Sequence, residues 1–303
     1  MGNGLRWGPN ATLTLIGVAL IWGVNIPLMK SGLGQLDNVF VFNAIRLPVS
    51  ALVLTLFAWR ERARGILPAK DVTWWNIAIY SAVVSATYQL CFLVGMSLTT
   101  PGNTALIIAT VPIWTAILAH IFLKEKLQLI AWLGLLIAVV GTVIVAFQKG
   151  VSTETRHLWG NLVVLSAALL WAGGTIYSRP LLNRISAMQL ASLASILALP
   201  AHIFVAAAYY EPGCLAPLGS PSMWAIILYS GILSSGLAQP MWHFGVKTSG
   251  PAHAAIIQNL VPVFAIAAAW CMHGVRPNAA QMLGGALILA GLVIMRRTRK
   301  HAS

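Results

Sequence analysis

The sequence predicts an all-α polytopic membrane protein, with ten transmembrane helices in two inverted five-helix repeats. Three observations carry that expectation. Of 303 residues, 58% are hydrophobic and only 8% charged, against about a quarter charged in soluble domains. Ten separate stretches hold the roughly 20 apolar residues that cross about 30 Å of hydrocarbon. The second half of the chain echoes the first at a nearly constant offset.

The stretches run at 12–30, 38–59, 73–95, 102–122, 129–147, 159–178, 186–208, 223–244, 252–272 and 279–296. Span one carries Trp22, Asn25 and Pro27 and no clean small-residue cleavage site, so it reads as a retained span and not a signal peptide. Span two contains Arg46 and Pro48, and span three Tyr80, Thr87, Tyr88 and Gln89. Spans four and nine contain Pro112 and Pro262, and spans five and ten carry the glycine pairs Gly134, Gly141 and Gly284, Gly291. Span six contains Trp171 and Thr175, span seven His202, and span eight Gln239, Pro240, Trp242 and His243. The connections are short, the longest being the 209–222 stretch, and none leaves room for a soluble domain.

The net charge of +13 would suggest a polyanion partner in a soluble protein. Here the basic residues fall between apolar stretches, which excludes nucleic acid as the expected partner. Fourteen Lys and Arg lie on one side if both ends share it, against Lys30, Lys149, Arg156 and Arg276 on the other. By the positive-inside bias both termini are expected in the cytoplasm of a bacterial inner-membrane protein. The three cysteines make no disulfide framework, and no metal-ligand spacing occurs. No cofactor is expected, and a monomer in contact with lipid and a small-molecule substrate is.

The repeat is the most informative feature. Leu20-Ile21-Trp22-Gly23 recurs as Leu169-Leu170-Trp171-Ala172, and Trp75 and Tyr80 as Trp224 and Tyr229, at an offset of 149. Pro101, Pro112, Gly134 and Gly141 recur as Pro251, Pro262, Gly284 and Gly291 at 150. A register held over five spans indicates duplication, dividing the chain at 1–150 and 151–303. Five is odd, so the second copy enters the membrane upside down, an arrangement that puts a binding site at the midplane between the halves.

These residues, together with Thr99-Thr100-Pro101-Gly102 before Pro112 and Phe122-Leu123-Lys124-Glu125-Lys126 before Gly134, resemble the drug/metabolite transporter superfamily in its ten-span EamA-type branch. The chain is similar also to the YddG-type exporters of that branch, which are associated with aromatic amino acids. The resemblance implies ten helices around a central cavity and outward movement of small metabolites, not catalysis. One departure stands out. The branch's acidic residue after span four is present as Glu125, but its repeat position is Val275, followed by Arg276.

Proline inside a span removes a backbone hydrogen bond and frees a carbonyl. In lipid that carbonyl must face protein or a wet cavity. Pro27, Pro112, Pro240 and Pro262 are therefore candidate hinges, with static kinks as the alternative. Candidate substrate contacts are Trp22 and Asn25 on one face of span one, Trp171 and Thr175 on one face of span six, and Tyr80, Tyr88, Gln89, Gln239, Trp242, His243 and Asn259. Such groups stack on a ring and hydrogen-bond an amino-acid head group, though aromatic residues also anchor interfaces and amides bridge helices. Arg46 sits deep enough to need a polar reason, since Arg at a helix centre costs roughly 3 kcal/mol. It could attract a carboxylate, snorkel outward or tie down carbonyls near Pro48.

No Asp or Glu falls inside a predicted span, and proton-driven carriers commonly use buried carboxylates. The expected function is thus facilitative export of aromatic or apolar amino acids by alternating access, with the side chain among Trp22, Tyr88, Trp171 and Trp242. A carrier of sugars, nucleosides or amphiphiles and a proton-coupled antiporter, for which His243 would serve, are the alternatives. A membrane-embedded enzyme would need a nucleophile–base pair at one depth, and no spacing supplies one.

Overall fold

The computed structural model describes residues 11–36, 38–125, 128–147 and 152–299; among them there is no strand. The helices are α1 (Ala11–Leu36), α2 (Val39–Ala63), α3 (Trp74–Leu98), α4 (Pro101–Ile108 and Val111–Leu123), α5 (Leu129–Phe147), α6 (Leu158–Leu181), α7 (Ala187–Ala208), α8 (Pro221–Ser249), α9 (Pro251–Gln258 and Leu260–His273) and α10 (Ala279–Arg299). Nine are long and apolar enough to cross a bilayer. The tenth, α10, is apolar over Ala279–Ile294 and ends in a basic turn. Lys149, Asp37, Arg6, Lys126 and Lys300 lie outside the described residues.

Local signals start and stop these helices. Asn38 caps α2 by accepting the N–H groups of Phe40 and Val41 at 3.1 Å, Thr100 caps α4 through Asn103 N–H, and Ser186 caps α7 through Gln189 N–H. Such caps satisfy backbone donors that the helix cannot. Exposed Trp59, Trp74 and Trp75 ring the face that holds the end of α2 and the start of α3, and Trp159, Trp224 and Trp270 ring the opposite face, as in the aromatic belts of membrane proteins.

The packing obeys the exchange of halves. Under it α1 maps to α6, α2 to α7, α3 to α8, α4 to α9 and α5 to α10. The contact α3–α6 has its mate in α8–α1, and α4–α6 in α9–α1, while α2–α7 and α5–α10 are their own mates. Lipid tails offer helices no hydrophobic drive to associate, so close backbone approach over small residues does the work. A Cβ added at Gly141 would stand 2.5 Å from the Gly284 carbonyl oxygen, and one at Gly291 2.4 Å from that of Gly134. The four glycines of the repeat thus form one reciprocal seam between α5 and α10.

Four helices depart from regular geometry at matching places. α4 breaks at Ala109–Thr110 and α9 at Asn259, each just before its proline. α3 and α8 each widen into a π-helical stretch, Ser81–Tyr88 and Tyr229–Leu237. Pro27 and Pro48, by contrast, sit in uninterrupted helices.

Candidate functional site

A cavity of about 240 Å³ lies between the halves, lined from α1, α2, α3, α6, α7, α8 and α9. That is just under the roughly 300 Å³ at which pockets for drug-sized ligands begin, so it suits one small metabolite. Toward the face that holds the start of α1 and the end of α10 it ends on a dense core that includes Leu15, Ile77, Leu181, Leu190, Val246 and Ile257. Toward the opposite face the packing divides. The Gln89–Leu98 part of α3 lies on α6 and the start of α4, with Gly95 against Val164 and Gly160 against Leu98. The ends of α1 and α7 and the starts of α2 and α8 cluster separately around Phe42, Met223 and Ile227. Met29 from one group and Phe92 and Leu93 from the other line the cavity between them.

Its wall is aromatic. Trp22 and Trp171, repeat mates from α1 and α6, meet edge to face at 5.8 Å, and Tyr88 lies 5.0 Å from Trp171. Trp242 touches both tryptophans, at 5.6 and 5.8 Å, but is 3% exposed and supports the wall from behind. The π-helical stretches supply polar atoms here. Trp22 Nε1 donates to the Ser234 carbonyl at 3.1 Å, and the His202 ring bonds the Ser85 carbonyl through Nε2 at 2.7 Å.

Arg46 does not snorkel. Its Nε donates to Asn43 Oδ1 at 2.7 Å and one terminal nitrogen to Ser235 Oγ at 2.8 Å, and its guanidinium lies 6.0 Å from the Phe42 ring centre. Asn43 in turn presents its amide nitrogen to His202 Nδ1 at 3.2 Å. Since the Ser85 carbonyl can only accept, this places the proton of a neutral His202 on Nε2. His243 is held likewise: Tyr80 O–H faces Nε2 at 2.8 Å and the Ala187 carbonyl faces Nδ1 at 3.3 Å. Ser50 Oγ, Trp171 Nε1 and Gln258 Oε1 are buried cavity residues' atoms with no hydrogen-bond partner among the described residues. Buried polar atoms are normally paired, and each orphan costs about 1–3 kcal/mol.

Of the residues singled out in the sequence, Trp22, Asn25, Arg46, Tyr80, Tyr88, Gln89, Trp171, Gln239 and His243 line this cavity. Asn25 also accepts a hydrogen bond from Ser230 at 2.5 Å. Thr175, Trp242 and Asn259 are not among the lining residues. Thr175 turns back onto the Trp171 carbonyl, and Asn259 accepts from Thr142 and donates to the Ile256 carbonyl, bracing the break of α9 on α5. Pro112 and Pro262 open the second pieces of α4 and α9, and Pro240 follows the wide stretch of α8. Sequence reasoning missed Ser50, Ser85, Ser195, Ser234 and Ser235; the serines flanked by Gly231 and Gly236 were the available signal. Glu61, read as lying beyond span two, is in the last turn of a longer α2, 4% exposed, where it accepts from Ser186.

The family model for EamA-like transporters matches residues 10–147 and 158–297, one copy per half. The uncharacterized transporter YoaV of Bacillus subtilis is 24% identical over 92% of this chain and 94% of its own. A protein of Streptantibioticus cattleyicolor named as a probable terminal-alkyne amino-acid exporter is 27% identical over 95% of this chain and 93% of its own. A protein of known crystal structure shares the fold, with a TM-score of 0.82 at 18% identity over 94% of this chain and 98% of its own.

Proposed function

The chain belongs to the EamA-like transporter family, and from that premise we propose that it is a facilitative exporter of aromatic or apolar amino acids. It is a multi-pass membrane transporter; the substrate, the coupling and the orientation are our reading. The observation that carries it is the aromatic wall of Trp22, Trp171 and Tyr88 facing a guanidinium and orphaned polar atoms in one small cavity. The wall accepts an apolar side chain, and the polar atoms accept the head group. The exporter relative from Streptantibioticus cattleyicolor supports an amino-acid substrate.

With both termini in the cytoplasm, as the distribution of Lys and Arg supports, the cavity of this state is closed below and faces outward. Alternating access then has the halves rock about the cavity while α4 and α9 flex at their breaks, with Pro112 and Pro262 as hinges and Pro27 and Pro240 as bends. Facilitative action is supported by two features. Among the described residues no carboxylate lines the cavity, and both buried histidines have each ring nitrogen engaged by a neutral group.

The test is counterflow of labelled phenylalanine, tyrosine and tryptophan in proteoliposomes, with and without a pH gradient. Saturable counterflow indifferent to the gradient is expected. Trp171→Ala, which removes the central ring of the wall, is expected to raise the half-saturation concentration about tenfold, the scale of an aromatic contact of 1–1.5 kcal/mol. Accumulation driven by the gradient would replace this reading with proton-coupled antiport and make Tyr80 and His243 the coupling pair.

A further inference from the structure

Among the described residues Arg46 is a cation without a counter-ion. Its hydrogen-bond acceptors, Asn43 Oδ1 and Ser235 Oγ, are neutral, and so is the Phe42 face beside it. Two of its five N–H groups are engaged by these bonds. It lines the cavity, and the nearest acidic side chain on its own helix, Glu61, lies four turns away at the other end. A buried charge is normally paired, because the alternative costs several kcal/mol. Bidentate docking of a carboxylate is the geometry in which a guanidinium is strongest.

The rest of the wall offers a substrate ammonium no equivalent charged partner. Among the described residues no Asp or Glu lines the cavity. Ser85 and Ser234, whose carbonyls the wide turns bring inward, spend them on His202 and Trp22. Trp171 Nε1 is a further donor without an acceptor among the described residues. Against these donors stand the side-chain amide carbonyls of Asn25, Gln89, Gln239 and Gln258 and the Ser50 hydroxyl, all of them neutral.

From this imbalance we infer that the cavity selects its substrate by a carboxylate held on Arg46 and does not read the α-amino group. The substrate class is then apolar monocarboxylates, of which amino acids are one subset and their desamino counterparts another. The inference rests on the proposed transport role of this cavity, and it deepens that role by fixing which end of the substrate is recognised.

The decisive measurement is isothermal titration of the purified full chain with matched ligands that differ only at the head group. Phenylalanine and 3-phenylpropionate are expected to bind within about tenfold of each other, and phenethylamine at least about tenfold more weakly than either. Hexanoate and hexylamine extend the series to an aliphatic tail. If the aromatic ligands are silent but hexanoate binds in preference to hexylamine, the aromatic reading falls and the carboxylate inference stands. Amines binding as tightly as acids, phenylalanine binding more than tenfold tighter than 3-phenylpropionate, or no acid binding at all would overturn it. Arg46→Gln is expected to abolish the preference for acid over amine, with Arg46→Lys restoring part of it. The series on the unaltered protein decides the matter even where a variant does not fold.

Discussion

Asn43 gives its amide oxygen to Arg46 Nε at 2.7 Å and its amide nitrogen to His202 Nδ1 at 3.2 Å. One side chain thereby fixes both the aim of a cation and the protonation pattern of an imidazole. Asn43→Leu leaves Arg46 Nε and His202 Nδ1 without partners, and it is expected to lower unfolding stability by about 2 kcal/mol or more, measured as a shift in the denaturation midpoint. Outside the membrane, Glu125 follows Lys124, whose φ of 55° ends α4, and its carboxylate accepts from Ala252 N–H at the start of α9. Burial raises its pKa above the usual 4.5 despite that bond and the Arg179 charge. A carboxyl raised on folding favours the protonated native state, so its contribution is present at low pH and is lost as pH rises through the raised value. Glu125→Gln is expected to remove that part of the decline, so the variant gains on the parent as pH climbs above 4.5; thermal midpoints across a pH series test this. At this scale the sequence was partly legible. Arg46 stood out because a charge inside a span demands a reason, but its partners Asn43 and Ser235 are three and 189 positions away, and only the fold brings the second one near.

Helices were legible wherever a rule of covalent geometry or solvent acts locally. Apolar length gave the spans, and proline marked the breaks of α4 and α9, since the missing N–H acts on its own helix. The wide stretches of α3 and α8 were not legible. Ser, Ala, Gly and Val are compatible with an ordinary helix, and what surrounds these turns is tertiary: Gly231 sits against the Arg46 carbonyl, and a Cβ there would come within 2.9 Å of it. The seam of α5 and α10 offers a sharp test of helix contact, because two adjacent glycines differ. A Cβ at Gly284 would lie 2.6 Å from the Gly141 oxygen, whereas one at Gly285 meets nothing within 4 Å. Gly284→Ala is expected to destabilise by about 1–3 kcal/mol, while Gly285→Ala is neutral or stabilises by up to about 1 kcal/mol. Equal effects in thermal or denaturant unfolding would remove the seam from the account of stability.

For the molecule as a whole, the division of packing on one face and its unity on the other set which side sees the cavity. Ser195→Cys, placed in a background with Cys91, Cys214 and Cys271 replaced by serine, puts a thiol on the cavity wall. It is expected to react with a membrane-impermeant thiol reagent added on the side opposite the termini, and to be protected by substrate. Reaction only from the side of the termini would reverse the assignment of the resting state. The wide turns also bear on the history of the chain. Closing a helical ring through i→i+5 takes up one residue more than i→i+4, so such a turn can absorb an insertion without breaking the helix. The repeat offset is 149 at Tyr80 and Tyr229 and has become 150 by Gln89 and Gln239, which face the same cavity. The wide stretch is eight residues in α3 and nine in α8 and falls between those two markers. Between these markers the two halves therefore differ in length by one residue, and the extra residue is taken up inside the turns that shape the site.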